Sequence, residues 1–141
     1  MCAYKESELA RGLRPDDREQ KVGYNRRQMP IKSATELRIY QKANELLPEI
    51  YELADKIPER EFRSQIQRAA RSIAPLIREG YAKKDSVVEF KRYLKIALGS
   101  SDEVQAHLEQ SRIIYGLAAE DLELAYRELS KQIQQTLKVW S

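Results

Sequence analysis

The sequence predicts an all-α protein, an antiparallel up-down four-helix bundle with an N-terminal extended arm. The 141 residues include only 5 Gly and 5 Pro, whereas the residues that favour helices, such as Ala, Glu, Leu, Lys, Arg and Gln, dominate. Apolar side chains recur every three or four positions in four successive segments, and no alternating strand pattern competes with them. Short loops between four helices favour antiparallel neighbours, so we place the bundle at residues 33–141.

Residues 1–32 are predicted to form a basic, flexible arm. The stretch RGLRPDDREQKVGYNRRQMP mixes Gly, Pro, Asp and Asn with charge, which favours turns over packing. The arm contains Cys2, the only cysteine in the sequence. A single cysteine excludes an internal disulfide framework and the usual cysteine-based metal sites.

The first two helices are separated by Pro58, which suits the first turn of the second. We expect the first helix to begin near Ser33, where SATE matches a capping box with Glu36, and to bend near Leu47 because Pro48 lies inside it. Its apolar stripe consists of Leu37, Tyr40, Ala43, Leu47, Ile50, Ala54 and Ile57. The stripe of the second helix consists of Phe62, Ile66, Ala69, Ala70, Ile73 and Ile77.

Two residues are expected to shape the end of the second helix. Gly80 fits the position just past the last helical residue, where a left-handed conformation favours glycine. Pro75 removes one backbone hydrogen bond, so we expect a bend that tilts the Arg78 end away from the bundle.

The third and fourth helices have clear boundaries. Ser86 and Glu89 form a second capping box, and Gly116 closes the long third helix. Small residues at 99–101 predict the close approach of a neighbouring helix. The stripe of the third helix consists of Val87, Phe90, Leu94, Ala97, Ser101, Val104, Leu108 and Ser111. The fourth helix, about residues 119–139, carries Leu122, Ala125, Leu129, Ile133 and Leu137.

Catalytic chemistry has little support in this sequence. His107 is the only histidine and flanks core positions, which favours a structural role. The paired Glu-x-x-His motif of di-iron bundles, a Gly-rich phosphate loop and a nucleophile elbow are all missing from the sequence. Ser72 is expected to bond the backbone carbonyl one turn back. We therefore expect a protein that is not an enzyme and uses no cofactor or metal.

The location is expected to be cytoplasmic. No run of about 18 apolar residues spans a membrane, and the polar N-terminus lacks the apolar region of a secretory signal.

Positive charge is concentrated in the middle of the chain, and this predicts an acidic partner. The whole chain carries a net charge of +3, whereas residues 59–95 alone carry +5. Arginine forks match phosphate oxygens, and several such contacts make binding sensitive to salt. The candidate nucleic-acid-binding residues are Arg60, Arg63, Arg68, Arg71, Arg78, Lys83, Lys84, Lys91, Arg92 and Lys95.

The arrangement of these cations follows from helix periodicity. Arg60, Arg63, Arg71 and Arg78 share one stripe opposite the apolar face of the second helix. If the second and third helices are neighbours, their basic rows could merge into one surface. The alternative is an ordinary solvated face. Tyr81 and Tyr93 could likewise stack on bases or pack against the helices.

Two stretches, QIQRAARSIAPLIREG and VVEFKRYLKIALGSSDEVQAHLEQSRIIYG, resemble the four-helix-bundle proteins encoded in 23S ribosomal RNA intervening sequences. The resemblance covers about residues 36–137. It departs from the common pattern at Ala74 and Leu76, where the family often has Pro and Asn, and here the proline is Pro75. The matching positions are Gln65, Arg68, Ala69, Ala70, Ser72, Ile73, Glu79, Gly80, Glu89, Phe90, Tyr93, Leu94, Ala97, Gly99 and Ser100.

This family is similar to the accessory variability determinant of diversity-generating retroelements. The resemblance implies a homopentamer with a positively charged surface that binds RNA or DNA and a reverse transcriptase, without enzymatic activity. The alternative is a structural or protein-interaction bundle with no nucleic-acid role. In that case the basic stripe would pair with acids of another subunit, such as Glu120, Asp121 and Glu123.

Overall fold

The computed structural model describes Ala34 and residues 37–140, and the regular structure of this part of the chain is helical throughout. The helices are α1 (Arg38–Glu45), α2 (Leu47–Ala54), α3 (Arg60–Ala82), α4 (Val87–Tyr115) and α5 (Glu120–Val139). Since α1 and α2 are one helix with a turn at Leu46, the described residues form four helices and no strand, which confirms the all-α prediction. The predicted arm and the capping box at Ser33 and Glu36 lie outside the described residues.

The first helix starts later than predicted, and a turn at Leu46 divides it at the place where a bend was expected. Leu37 has an extended backbone, with φ −73° and ψ 132°, so the helix begins at Arg38 rather than near Ser33. Pro48 lies in the first turn of α2, a position that proline favours because its φ is already helical. The amide of Leu46 still bonds the carbonyl of Lys42, and the amide of Ile50 bonds that of Leu46. These two bonds therefore continue the helical pattern across Leu46.

The core is built from the predicted apolar stripes. All six stripe residues of α3 are buried, as are seven of α4, including Phe90, Leu94 and Leu108 with no exposed surface. In α5, Tyr126 is fully buried whereas the predicted Ala125 is only half-buried. α3 packs along α4 and α4 along α5, while α1 and α2 pack on α3, and α1 also touches α5.

The prediction for Gly116 is confirmed, whereas the prediction for Gly80 was wrong. Gly116 has φ +67° and ends α4, as predicted. Gly80 does not end α3, which continues to Ala82. Instead it is buried where α3 crosses α4, and a Cβ added there would lie 2.7 Å from the Tyr93 Cβ. Among the small residues at 99–101, which were expected to let a neighbouring helix approach, an added Cβ at Gly99 would meet nothing within 4 Å, whereas Ser100 and Ser101 contact serines of α3 and α5. The tight crossing between helices therefore lies at Gly80.

Helix α3 stays packed on both sides of Pro75. Ile73 precedes the proline and Ile77 follows it, and both are fully buried on the same face. Tyr81, near the end of the helix, is also buried. The expectation that the Arg78 end tilts away from the bundle is therefore wrong, since burial of this apolar face continues to the last turn.

The serines of α4 connect it to both neighbours. Ser100 Oγ lies 2.9 Å from the Ser72 Oγ of α3. Ser101, one residue later, is fully buried, and its Oγ lies 2.8 Å from the Ser130 Oγ of α5. Asp102 Oδ1 also lies 2.8 Å from the Ser130 Oγ.

In the part of the chain that the structure describes, no helix has both the length and the apolar composition needed to cross a membrane.

Candidate nucleic-acid interface

The arginines at the middle and end of α3 face the first helix, because its tyrosines lie within hydrogen-bond distance. Arg71 Nη1 donates to the Tyr51 hydroxyl at 3.0 Å, and Arg78 Nη1 donates to the Tyr40 hydroxyl at 3.2 Å. Both arginines are exposed, while both tyrosines are half-buried and pack their rings against the core. A tyrosine hydroxyl carries no charge at neutral pH. The two guanidinium groups are therefore held in place while their positive charge remains uncompensated by these partners.

The arginines in the first half of α3 have different surroundings. Arg63 is half-buried and donates to the carbonyl of Ile57, just beyond the end of α2, so it has a structural role at this junction. Arg68 is exposed and donates to the Ser64 hydroxyl at 3.2 Å. Arg60 is exposed beside them. A surface depression of about 490 Å³ here is lined by Arg60, Glu61, Arg63, Ser64, Gln65, Gln67 and Arg68. Since one helix supplies the whole lining, this is an open groove between side chains and not an enclosed pocket.

A second group of cations surrounds Tyr93 at the turn between α3 and α4. The Lys83 Nζ lies 5.6 Å and the Arg92 guanidinium 4.7 Å from the centre of the Tyr93 ring. Arg92 also bonds Glu89 at 3.1 Å, and this hydrogen bond is the main cause that raises the pKa of Arg92 above its ordinary value. The Tyr93 hydroxyl lies 3.5 Å from a Glu79 carboxylate oxygen.

Tyr81 serves packing rather than base stacking. Only 5% of its surface is exposed, and its ring makes edge contacts with Phe90 and Trp140. The Lys84 Nζ lies 4.6 Å from the centre of this ring. Of the two tyrosines considered for stacking, Tyr93 is therefore the more accessible.

The lysines of α4 face away from the arginines of α3. Lys91 and Lys95 share a helical stripe with Asp102 and Gln105, at steps of three or four residues. Both Asp102 and Gln105 bond Ser130 of α5, at 2.8 and 3.0 Å. Lys91 and Lys95 therefore lie on the α5 side of α4, whereas Arg71 and Arg78 lie on the opposite side of α3. The structure places the two basic rows apart and does not merge them.

Carboxylates compensate little of this charge. Within residues 37–140, Glu89 is the one carboxylate that forms an ion pair with a member of the set, through Arg92. Glu123 had been considered as a partner for the basic stripe of another subunit. It is 12% exposed and accepts two hydrogen bonds from Arg112, at 2.8 and 3.2 Å. Glu123 is thus already paired within its own chain.

The residues considered for chemistry have structural contacts. The Ser72 hydroxyl bonds the Ala69 carbonyl at 2.8 Å, as predicted. The side chain of His107 is 15% exposed, with Nε2 at 3.4 Å from a Glu103 oxygen and its ring edge-on to Phe62. In the described part of the chain, no three His, Cys, Asp or Glu side chains are grouped to hold a metal ion.

Tyr40 and Tyr51 were missed as candidate site residues. The sequence assigned Tyr40 to the apolar stripe and gave Tyr51 no role. Their rings do pack on the core, but their hydroxyls lie at the surface and accept hydrogen bonds from arginines of α3. Helical spacing carries no signal for this pairing, because it depends on which helices are neighbours.

Comparison with known families supports the resemblance seen in the sequence. The family model described as 23S rRNA-intervening sequence protein matches residues 35–138, which is most of the chain and includes the whole described bundle up to Lys138. A search of the curated proteins finds no match. The chain therefore belongs to the 23S rRNA-intervening sequence protein family.

Proposed function

We propose that this protein is a non-catalytic accessory protein that binds RNA or DNA through the phosphate backbone. The observation that carries the proposal is the pair of exposed guanidinium groups, Arg71 and Arg78, held by neutral tyrosine hydroxyls. Guanidinium groups bind phosphate oxygens through two parallel N–H donors, and their attraction is largest where no carboxylate competes. Phosphate contacts supply affinity without reading sequence.

We also propose that the protein acts as a homo-oligomer, a pentamer by analogy with the accessory determinant of diversity-generating retroelements, together with a reverse transcriptase in the cytoplasm. Exposed apolar side chains near the α4–α5 turn support self-association. Ile113 is 68%, Ile114 58% and Leu124 52% exposed. Soluble oligomers of one chain are most often closed and symmetric.

The proposed subunit is an up-down bundle with antiparallel neighbours. Along α3, Arg71 bonds Tyr51 and the later Arg78 bonds the earlier Tyr40. Likewise Ser72 meets Ser100, whereas the later Gly80 meets the earlier Tyr93. Contacts that run in opposite directions along two helices support an antiparallel arrangement.

The test is a titration of a fluorescently labelled RNA oligonucleotide at several salt concentrations. We expect tighter binding at low salt and weaker binding by the Arg68→Ala/Arg71→Ala/Arg78→Ala variant, which leaves the structural Arg63 in place. The slope of log K against log salt should fall by about 0.7 for each lost contact to a single strand. The matched control removes three charges from α5, at Arg127, Lys131 and Lys138. Absence of binding at low salt, or equal weakening by both triple variants, would contradict the proposal.

A second candidate function is a protein-interaction module with no nucleic-acid role. The exposed isoleucines at positions 113 and 114 favour it, since adjacent exposed apolar side chains mark interaction surfaces. Charge reversal by Arg71→Glu and Arg78→Glu separates the two candidates. Light scattering that shows loss of the oligomer, with RNA binding unchanged, would favour the interaction module. Loss of RNA binding with the oligomer intact would favour the first proposal.

A further inference from the structure

The ten candidate cations divide into groups with different surroundings, so they cannot contribute equally to binding. Arg63 bonds a backbone carbonyl, Arg92 pairs with Glu89, and Lys91 and Lys95 lie toward α5. Arg68 bonds the hydroxyl of Ser64 on its own helix. Arg71 and Arg78 differ from all of these, because a neutral hydroxyl of another helix, with its ring packed on the core, fixes each one at the surface. The flank where α3 meets the first helix is therefore the strongest candidate for an oriented phosphate site.

We infer that the nucleic-acid backbone lies along the tyrosine–arginine track, defined as Tyr40, Tyr51, Arg71 and Arg78, and that the two tyrosines are positioning residues for its phosphate contacts. This inference rests on the proposed function and narrows it to one flank of α3.

The spacing of the track suits an extended polyanion. Arg71 and Arg78 are seven residues apart, which is about two helical turns and roughly 10 Å along the axis. Because seven residues is close to a whole number of turns, both side chains leave α3 on the same side. Two oriented guanidinium groups at this separation can contact two phosphates of one strand at the same time.

The hydrogen-bonding capacity of each pair remains largely available. A guanidinium group has five N–H donors, and the tyrosine hydroxyl accepts a hydrogen bond from only one of its nitrogens, Nη1. The hydroxyl accepts the arginine N–H, so its own hydrogen can still be donated to a phosphate oxygen. Each pair therefore offers several donors and a full positive charge at one point on the surface.

The tyrosines reduce the cost of ordering the arginines on binding. Their rings pack against the core, so the position of each hydroxyl is fixed by the bundle. An arginine that is already oriented loses less side-chain freedom when it binds a phosphate. Phenylalanine at these positions would keep the ring and remove only the acceptor, which makes the role testable.

Nearby acids do not compensate the track. Glu52 and Asp55 are exposed on or just after α2, and within the described residues neither forms an ion pair with Arg71 or Arg78. Glu49 lies two residues before Tyr51, which places its side chain on a different side of the first helix. Within the described residues, the two guanidinium groups of the track are therefore not paired with a carboxylate.

The first test compares two double variants that remove the same charge. We measure RNA affinity for Arg71→Ala/Arg78→Ala and for Lys91→Ala/Lys95→Ala at one salt concentration. Hydrogen bonds to charged groups are among the stronger ones, so we expect at least about a tenfold loss for the arginine variant. The lysine variant should lose less than about threefold, because its charges act only at long range. Urea unfolding of both variants checks that the bundle is intact.

The second test addresses the positioning role. Tyr40→Phe/Tyr51→Phe should weaken RNA binding about three- to tenfold, since the arginines must then be ordered on binding. The slope of log K against log salt should stay unchanged, because no charge is lost. The arginine variant, in contrast, should lower that slope by about 1.4 for a single strand.

Four outcomes separate the ideas. Absence of RNA binding by the unmodified protein would overturn the proposed function and the track together. Equal weakening by the arginine and lysine variants would overturn the track and leave the proposed function standing. Unchanged affinity of the phenylalanine variant would overturn the positioning role. Tighter binding of polyglutamate than of RNA of equal charge would overturn the choice of nucleic acid in favour of an acidic protein.

Discussion

Replacing Gly80 with alanine is expected to destabilise the bundle, although alanine favours helices more than glycine does. The new Cβ would lie 2.7 Å from the Tyr93 Cβ, 3.3 Å from Phe90 Cδ1 and 3.4 Å from the Phe90 carbonyl oxygen. The Tyr93 Cβ is fixed by its backbone and cannot rotate away, so α3 and α4 must separate locally. Overpacking of this kind costs about 1–3 kcal/mol.

Helix propensity acts in the opposite direction, and a second glycine isolates it. Replacing glycine with alanine inside a helix raises the free energy of unfolding by about 1 kcal/mol through helix propensity. Gly99→Ala is the matched control, because its Cβ would meet nothing within 4 Å. The propensity gain is common to both variants, so the difference between their unfolding free energies should equal the overpacking cost of about 1–3 kcal/mol.

The assay is urea unfolding followed by circular dichroism at the helix band. Gly99→Ala should unfold at a higher urea concentration than the unmodified protein, and Gly80→Ala should unfold at a concentration below that of Gly99→Ala. If both variants shift the midpoint upward by the same amount, the close crossing at Gly80 is refuted.

Three further predictions concern single side chains. Ser86→Ala should lower the free energy of unfolding by about 1 kcal/mol, because the Ser86 hydroxyl accepts the Glu89 amide hydrogen at the start of α4; Ser86→Asp, which keeps the acceptor, is the control in the same urea assay. Ser130→Ala should cost about 1–3 kcal/mol, since Ser101 and Asp102 each lose a partner at 2.8 Å, and thermal unfolding at neutral pH checks this; an unchanged midpoint would contradict it. Tyr126→Phe should raise stability by about 1 kcal/mol, because no group in the described chain bonds the buried Tyr126 hydroxyl. Burial raises the pKa of Tyr126 above its ordinary value of 10.0, so above about pH 10 the hydroxyl ionises in the unfolded chain but stays protonated in the folded one, and the free energy of unfolding falls as the pH rises; urea midpoints from pH 8 to 11 should fall more steeply for the unmodified protein than for Tyr126→Phe.

Helix α4 shows how much local sequence can predict. Its start at Ser86, its end at Gly116 and its buried residues all follow from rules that involve neighbours in sequence. The turn at Leu46, two residues before Pro48, also fits such a rule, because the missing N–H of a proline acts within one helical turn. These features do not depend on where the other helices lie.

Gly80 and Tyr51 show where sequence reasoning ends. A glycine near the end of a helical pattern fits a C-terminal cap, but a crossing helix can require the same residue for lack of a Cβ. Only the position of Tyr93 distinguishes the two cases. The pairing of Tyr51 with Arg71 joins residues 20 positions apart on different helices, so no local spacing predicts it.

The prediction that the two basic rows merge also depended on how neighbouring helices pack, which the sequence does not show. Eight of the ten cations are exposed, as their position opposite or beside the apolar stripes predicts, whereas Arg63 and Lys91 are half-buried. Whether two rows on adjacent helices face each other depends on the rotation of each helix about its axis. Lys91 and Lys95 lie toward α5 because Asp102 and Gln105 on the same stripe bond Ser130.

The neighbouring hydroxyls of Ser100 and Ser101 fix the rotation of α4. One reaches α3 and the next reaches α5, about 100° apart around the helix. A turn of α4 by one residue would break both bonds and carry the Asp102 carboxylate toward the apolar interior. Fully satisfied polar contacts inside a core specify a single packing arrangement. Ser100 and Ser101 thus restrict α4 to one rotation about its axis, whereas its apolar contacts alone would tolerate several rotations.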